Sequence, residues 1–121
     1  MPLLSRCVLA TDTGGQFVVR VDSIGLPATA SGNTAFDVRL YGAVGPNLCF
    51  RVQSVRAQED STHLDITVFG AKRDSGGDCL QMPASLDGRP VTVAPPIRDP
   101  FTVRVHQPDG SVLSQSLRVQ E

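Results

Sequence analysis

The stretch His63-Leu-Asp-Ile-Thr-Val68 decides the fold. In an extended chain successive side chains point to opposite faces, so Leu64, Ile66 and Val68 share one face. His63, Asp65 and Thr67 then share the other. A helix turning every 3.6 residues would throw Leu64 and Ile66 to opposite sides and build no apolar stripe. Ile66, Thr67 and Val68 are also β-branched, which suits a pleated, half-buried surface. One strand, buried on one face, is the reading.

The same pattern recurs on both sides of it. Phe17-Val-Val-Arg-Val-Asp22 aligns Phe17, Val19 and Val21. Ala35-Phe-Asp-Val-Arg-Leu40 turns Phe36, Val38 and Leu40 inward, with Asp37 and Arg39 outward. Leu48-Cys-Phe-Arg-Val-Gln53 turns Leu48, Phe50 and Val52 inward. Further strands are expected at Val91-Thr-Val93, at Phe101-Thr-Val-Arg-Val-His106 and around Leu117 and Val119. Pro108-Asp-Gly110 marks a hairpin turn between the last two. No window holds three turns of helical period with caps, and proline and glycine interrupt the chain too often for a long helix. Seven to eight short strands, each with one apolar face, call for two sheets packed face to face. The expected class is all-β, an antiparallel β-sandwich of seven to eight strands.

At 121 residues the chain is read as a single domain, with residues 1–14 and 25–33 its expected mobile parts. The net charge of -1, with acids and bases interspersed, gives no footprint for nucleic acid or an anionic membrane. Ten of the eleven basic residues are Arg, a skew that a GC-rich genome also produces. No apolar run approaches the roughly 18 residues a transmembrane helix needs. Met1–Cys7 is too short for a secretory signal, and Arg6 before Cys7 is wrong for a lipoprotein cleavage box.

Candidate chemistry is sparse. Asp74-Ser-Gly-Gly77 matches the letters around the nucleophile of chymotrypsin-like proteases, but Asp74, Gly76, Gly77 and Asp78 are all turn formers. The histidine context and the chain length of that family are missing, so Ser75 is read as part of a loop. His63 and Asp65 share the outward face of one strand, and His106 and Arg104 that of another; a small hydrolase or metal-dependent enzyme would draw on His63, Asp65 or Ser75. The Cys and His spacings contain no zinc pair, and the 74–78 loop lacks the alternation of a calcium loop, so no metal and no cofactor is expected. The cysteines say more. A Cys49–Cys79 disulfide is the natural reading in a small, loop-rich β-protein, against two buried thiols in a cytosolic one. Because Cys49 falls on the phase opposite Phe50 and Val52, such a bridge would pin a loop at the outer face or edge. Cys7 is left over.

Phe36-Asp-Val-Arg-Leu-Tyr-Gly42, Gly45-Pro-Asn-Leu-Cys49, Leu64–Val68, Cys79, Val91–Val93 and Phe101–Val105 together resemble a class of bacterial secreted or lipoprotein domains with immunoglobulin-like sandwiches. The resemblance covers about residues 34–119 and departs where Val105-His-Gln-Pro-Asp-Gly110 replaces a Val-Asn-Gly turn. It implies an immunoglobulin-like fold and an extracytoplasmic address, and no catalytic residues. Chagasin-type protease inhibitors are also small sandwiches. Of their three loop motifs, Ser75-Gly-Gly77 matches loosely, Arg89-Pro90 is followed by Val91 rather than an aromatic, and the third is missing. The expected function is a non-enzymatic binding or structural module for a protein or glycan. Its contact loops are 42–47, 70–78 and 94–100, with Gly45, Pro46, Asn47, Arg73, Asp74, Ser75, Gly76, Gly77, Asp78, Ile97 and Arg98 as contact residues.

Overall fold

The computed structural model describes residues 16–73 and 79–120. Among them are eleven strands and no helix: β1 (Gln16–Val18), β2 (Ser23–Gly25), β3 (Thr29–Ser31), β4 (Phe36–Tyr41), β5 (Ala43–Gly45) and β6 (Phe50–Glu59), then β7 (His63–Lys72), β8 (Ala84–Ser85), β9 (Arg89–Val93), β10 (Phe101–His106) and β11 (Val112–Gln120). The strand at 63–68 continues to Lys72 and is the centre of the larger sheet.

One edge of β7 carries β6, antiparallel along most of its length. The other edge is shared. Leu64 faces Val103 of β10, and Ala71 faces Gln16 of β1. Beyond β10 come β11 and then β3. The second layer is the three-stranded β2–β4–β9, extended by the short β5–β8 pair. β4–β5 and β8–β9 form one irregular ladder: Leu40 pairs with Arg89 and Ala43 with Ser85, and the Leu86 N–H donates to Gly42 O between them. Asp87 and Gly88, both at positive φ, absorb the irregularity.

The layers meet in one core. Leu64, Ile66, Val68, Phe101, Val103 and Val105 from the large sheet pack with Ile24, Val38, Leu40 and Val93 from the smaller one. Phe36 meets Phe101 edge to face across the gap, ring centroids 6.3 Å apart. The class is therefore all-β, and its two-layer packing fits a β-sandwich.

Several expectations change. Strands are more numerous than seven to eight, because short elements such as β2, β3, β5 and β8 form as well, while β6, β7 and β11 run longer than the stretches expected. Pairing is not wholly antiparallel: β7–β10 and β11–β3 run parallel, since the chain passes through the smaller sheet between β7 and β10. Residues 25–33 are not a loose connection, because they hold β3, and the Gly32 N–H donates to Gln120 O at 2.9 Å. Leu48, placed inward by its phase, is 44% exposed because it precedes the strand. Residues 1–14, including Cys7, lie outside the described part.

The N-terminal segment changes sheets. Val19 N–H donates to Val68 O in the large sheet, and Asp22 N–H donates to Tyr41 O in the smaller one. Val21, between them, has no strand neighbour. Its N–H donates to Gln107 Oε1 at 3.0 Å, and its carbonyl accepts from Gln107 Nε2 at 2.7 Å. The buried Gln107 side chain thus imitates a strand's backbone and closes the corner. Gln107 also begins the β10–β11 hairpin: its carbonyl accepts from Gly110, whose φ is 88°. The turn at Pro108-Asp-Gly110 is where its composition put it.

Candidate functional site

Three groups of residues compete for a functional role. The first is on the solvent face of the large sheet. Alternation turns Arg56 and Gln58 of β6, Asp65 and Thr67 of β7, and Arg104 and His106 of β10 to the same side. Asp65 sits between Arg104 and His106 of β10. Arg104 Nη2 donates to Asp65 Oδ2 at 3.0 Å, and Arg104 Nε approaches Oδ1 at 2.9 Å. The Nε–H is not aligned for a hydrogen bond, so that contact is ionic. His106 Nε2 lies 3.1 Å from Asp65 Oδ1. Partial burial opposes ionisation of Asp65, but the hydrogen bonds and charges of Arg104 and His106 outweigh it and hold the carboxyl below its ordinary range.

The His63–Asp65 pair on which an enzyme would have drawn does not form. His63 does not meet Asp65, although both face outward on β7. Its Nδ1 is 2.8 Å from Thr62 Oγ1 and 3.6 Å from Asp60 Oδ1 at the β6–β7 turn. Asp60 accepts the backbone N–H of Thr62 and His63, which lowers its own pKa. Residues two apart on a strand are separated by more than the width of a sheet spacing, so the cross-strand neighbour wins. His106 was assigned to the outward face but not to Asp65; the partnership depends on β10 lying parallel to β7. A shallow depression of about 250 Å³ lies beside it, lined by Arg56, Gln58, Thr67 and Phe69 as well as Asp65 and His106. No described hydroxyl or thiol hydrogen-bonds to His106. Among the described residues no group of His, Cys, Asp and Glu is arranged to hold a metal ion.

The second group is the expected contact loops. Gly45 belongs to β5 and its position is filled by the Phe50 ring, leaving no room for a side chain. Asn47 is engaged in shaping the turn, its Oδ1 accepting from Cys49 N–H at 2.9 Å. Pro46 stands beside it. Arg73 N–H donates to Cys49 O at 2.8 Å. Cys49 and Cys79 come to disulfide distance, Cα to Cα 5.4 Å, and Leu48 N–H donates to Leu80 O alongside. The bridge lies at the sheet's end and outside the core cluster; Cys49 precedes β6 and is buried, 2% exposed, so strand phase does not set its direction. Asp74, Ser75, Gly76, Gly77 and Asp78 lie outside the described residues, and so does the protease-like reading of Ser75.

The 94–100 loop is elsewhere. Ile97 N–H donates to Gly32 O and Arg98 N–H to Ser61 O, next to the β6–β7 turn. That is the opposite end of β7 from Lys72, about 30 Å away for a ten-residue strand. Among the described residues, the 94–100 loop therefore does not share a surface with residues 70–73 at the other end of β7. Ile97 is also buried, 3% exposed, and serves the core instead of a partner; Arg98 is exposed. Arg89 and Pro90 belong to β9, paired with Leu40 and Arg39, and so lie in a strand rather than a loop.

The third group was not singled out in the sequence. Asp37, Arg39 and Tyr41 alternate along the solvent face of β4, where they line a trough of about 400 Å³ with Gly25, Leu26, Pro27 and Phe36. Arg39 Nη1 donates to Gly88 O at 3.1 Å, and Thr92 Oγ1 donates to Asp37 Oδ1 at 2.8 Å. The outward phase of Asp37 and Arg39 was legible, and extending it two residues reaches Tyr41. The glycines beside Tyr41 were not, because they come from other parts of the chain, β2 and the bend before β9. Among the described residues, no helix is long and apolar enough to cross a membrane. Compared with protein families, curated proteins and solved structures, the chain shows no match.

Proposed function

We propose that this chain is a non-enzymatic, extracytoplasmic binding or structural module, an immunoglobulin-like sandwich whose partner is a protein or a glycan. The observation that carries the reading is the condition of its most enzyme-like side chains. Asp65 has both carboxylate oxygens engaged by Arg104 and His106, on an open sheet face rather than in a cleft. General acid–base chemistry needs a histidine within reach of a nucleophile or substrate proton, in a site that excludes water. The cysteine pair at disulfide distance supports an oxidising compartment, where such bridges persist. The immunoglobulin-like assignment rests on the two-layer packing and the cysteine spacing, with parallel β7–β10 as its departure.

The test is to immobilise the domain and challenge it with surface and periplasmic extracts and with glycans, while ester, peptide and glycoside hydrolysis is followed in parallel. Selective retention without turnover is the expected result. Turnover by the wild type that disappears in His106→Ala would sink the reading. Thiol blocking without reductant, followed by mass spectrometry, tests the compartment argument: alkylation of both Cys49 and Cys79 would remove it.

A further inference from the structure

The geometry points to a saccharide-binding site on the solvent face of the smaller sheet, in which Tyr41 stacks on a sugar ring while Asp37 and Arg39 take its hydroxyl groups. The inference rests on the binding-module reading above and gives that module a ligand class and a place.

Tyr41 is the one exposed aromatic side chain among the described residues, 41% accessible. Its ring lies between two glycines, Gly25 of β2 and Gly88 in the bend before β9. A Cβ built on Gly25 would stand 3.2 Å from Tyr41 Cε2, and one on Gly88 3.4 Å from Cε1 and from the hydroxyl oxygen. The two glycines thus flank opposite sides of the ring, Gly25 at Cε2 and Gly88 at Cε1, while the residue as a whole stays 41% accessible. Covering glycine explains where the ring sits. It does not explain the polar pair beside it. Asp37 and Arg39 stand on the same face of the same strand, at two-residue intervals from each other and from Tyr41. Arg39 is steadied by its bond to Gly88 O and Asp37 by the Thr92 hydroxyl, so both are held before any ligand arrives.

A pyranose ring has a face of C–H groups and a rim of hydroxyls. The first suits the π-face of an aromatic ring, and the second suits a carboxylate acceptor beside a planar guanidinium donor. Leu26, Pro27 and Phe36 supply the apolar remainder of the trough. Asp37 and Arg39 cancel in charge, which selects a neutral saccharide over a sulfated or carboxylated one. An extended peptide is the weaker candidate, because it would seek a strand edge for its backbone. Here β4 is paired with β9 over Phe36–Leu40 and with β2 over Arg39–Tyr41, so beside Arg39 and Tyr41 it offers side chains only.

The composition makes the test clean. The chain has no Trp and a single Tyr, so its tyrosine emission reports on Tyr41 alone. The full chain is titrated with cellohexaose, chitohexaose, maltohexaose and xylohexaose, following emission and, in parallel, calorimetric heat and the appearance of new reducing ends. At least one oligosaccharide is expected to give a saturable change. Asp37→Ala should weaken that binding about tenfold or more, as loss of a charge-assisted hydrogen bond does. Calorimetry should find no binding to Tyr41→Ala, while Arg56→Ala on the other sheet binds like the wild type. Should Tyr41→Ala fold poorly, Asp37→Ala and Arg39→Ala carry the test.

If none of the four binds the wild type at millimolar concentration without cleavage, the saccharide assignment falls and the binding-module reading stands. Equal affinity in the wild type and in Asp37→Ala and Arg39→Ala also overturns it. New reducing ends would defeat the non-enzymatic reading, and this assignment with it.

Discussion

Replacing Gln107 by Leu is the sharpest test of how the two sheets are joined. The side chain is buried, 8% exposed, and Val21 beside it is 1% exposed. Its amide supplies both an acceptor for Val21 N–H and a donor for Val21 O. Leu has nearly the same volume but neither group, so two backbone polar atoms would be left buried and unpartnered. Each such group costs about 1–3 kcal/mol, giving a loss of about 2–6 kcal/mol in total. A domain of this size has a net stability of only ~5–15 kcal/mol, so the effect is large. The assay is urea unfolding under oxidising conditions, followed by far-UV circular dichroism. The midpoint should fall by about 1–4 M for a slope near 1.5–2 kcal/mol per M, with the slope unchanged. Gln107→Glu supplies an internal check. Its carboxylate keeps an acceptor for Val21 N–H but turns a second oxygen toward Val21 O. Burial and that carbonyl raise the folded-state pKa of the introduced carboxyl. Stability relative to wild type should therefore be recovered as pH falls below the carboxylate range and lost as pH rises through the folded pKa. A Gln107→Leu midpoint within about 0.5 kcal/mol of the wild type would refute the account of the corner, because surface substitutions alone reach that size.

Three further outcomes follow from the same geometry. Replacing Cys49 and Cys79 together by Ala opens a loop with a sequence separation of 30, and should lower the unfolding free energy by about 3–4 kcal/mol in chemical denaturation. Gly42→Ala would set a Cβ 2.6 Å from the Arg20 carbonyl oxygen where the chain changes sheets; backbone must move, and a loss of about 1–3 kcal/mol is expected in thermal melts. The Asp109 carboxyl, which accepts hydrogen bonds from the Ser111 hydroxyl and N–H and pairs with Arg20, lies at about 2. Because this pKa is lowered by folding, its contribution is present above the unfolded carboxyl pKa and is lost as pH falls toward about 2. Carbon-detected NMR titration should find that midpoint, and Ser111→Ala should raise it.

What the sequence determined by itself is the state of each strand. Period two is a local property, so Val38, Leu40, Leu64, Ile66, Val68, Val103 and Val105 are buried as their phases require. The Pro108-Asp-Gly110 turn and the Cys49–Cys79 pairing were also legible, because each is written in residue types with few alternatives. Phase says which face a side chain occupies, but not which strand lies beside it. Only the tertiary structure set β10 parallel to β7 and so gave Asp65 to Arg104 and His106 instead of His63. It buried Ile97, moved the 94–100 loop to the far end of β7, and turned Gln107 into a substitute strand. It also brought Gly25 and Gly88, from elements remote in sequence, to either side of Tyr41. Strand order and register are set by the balance of non-local contacts in one shared core, and no local pattern encodes that balance.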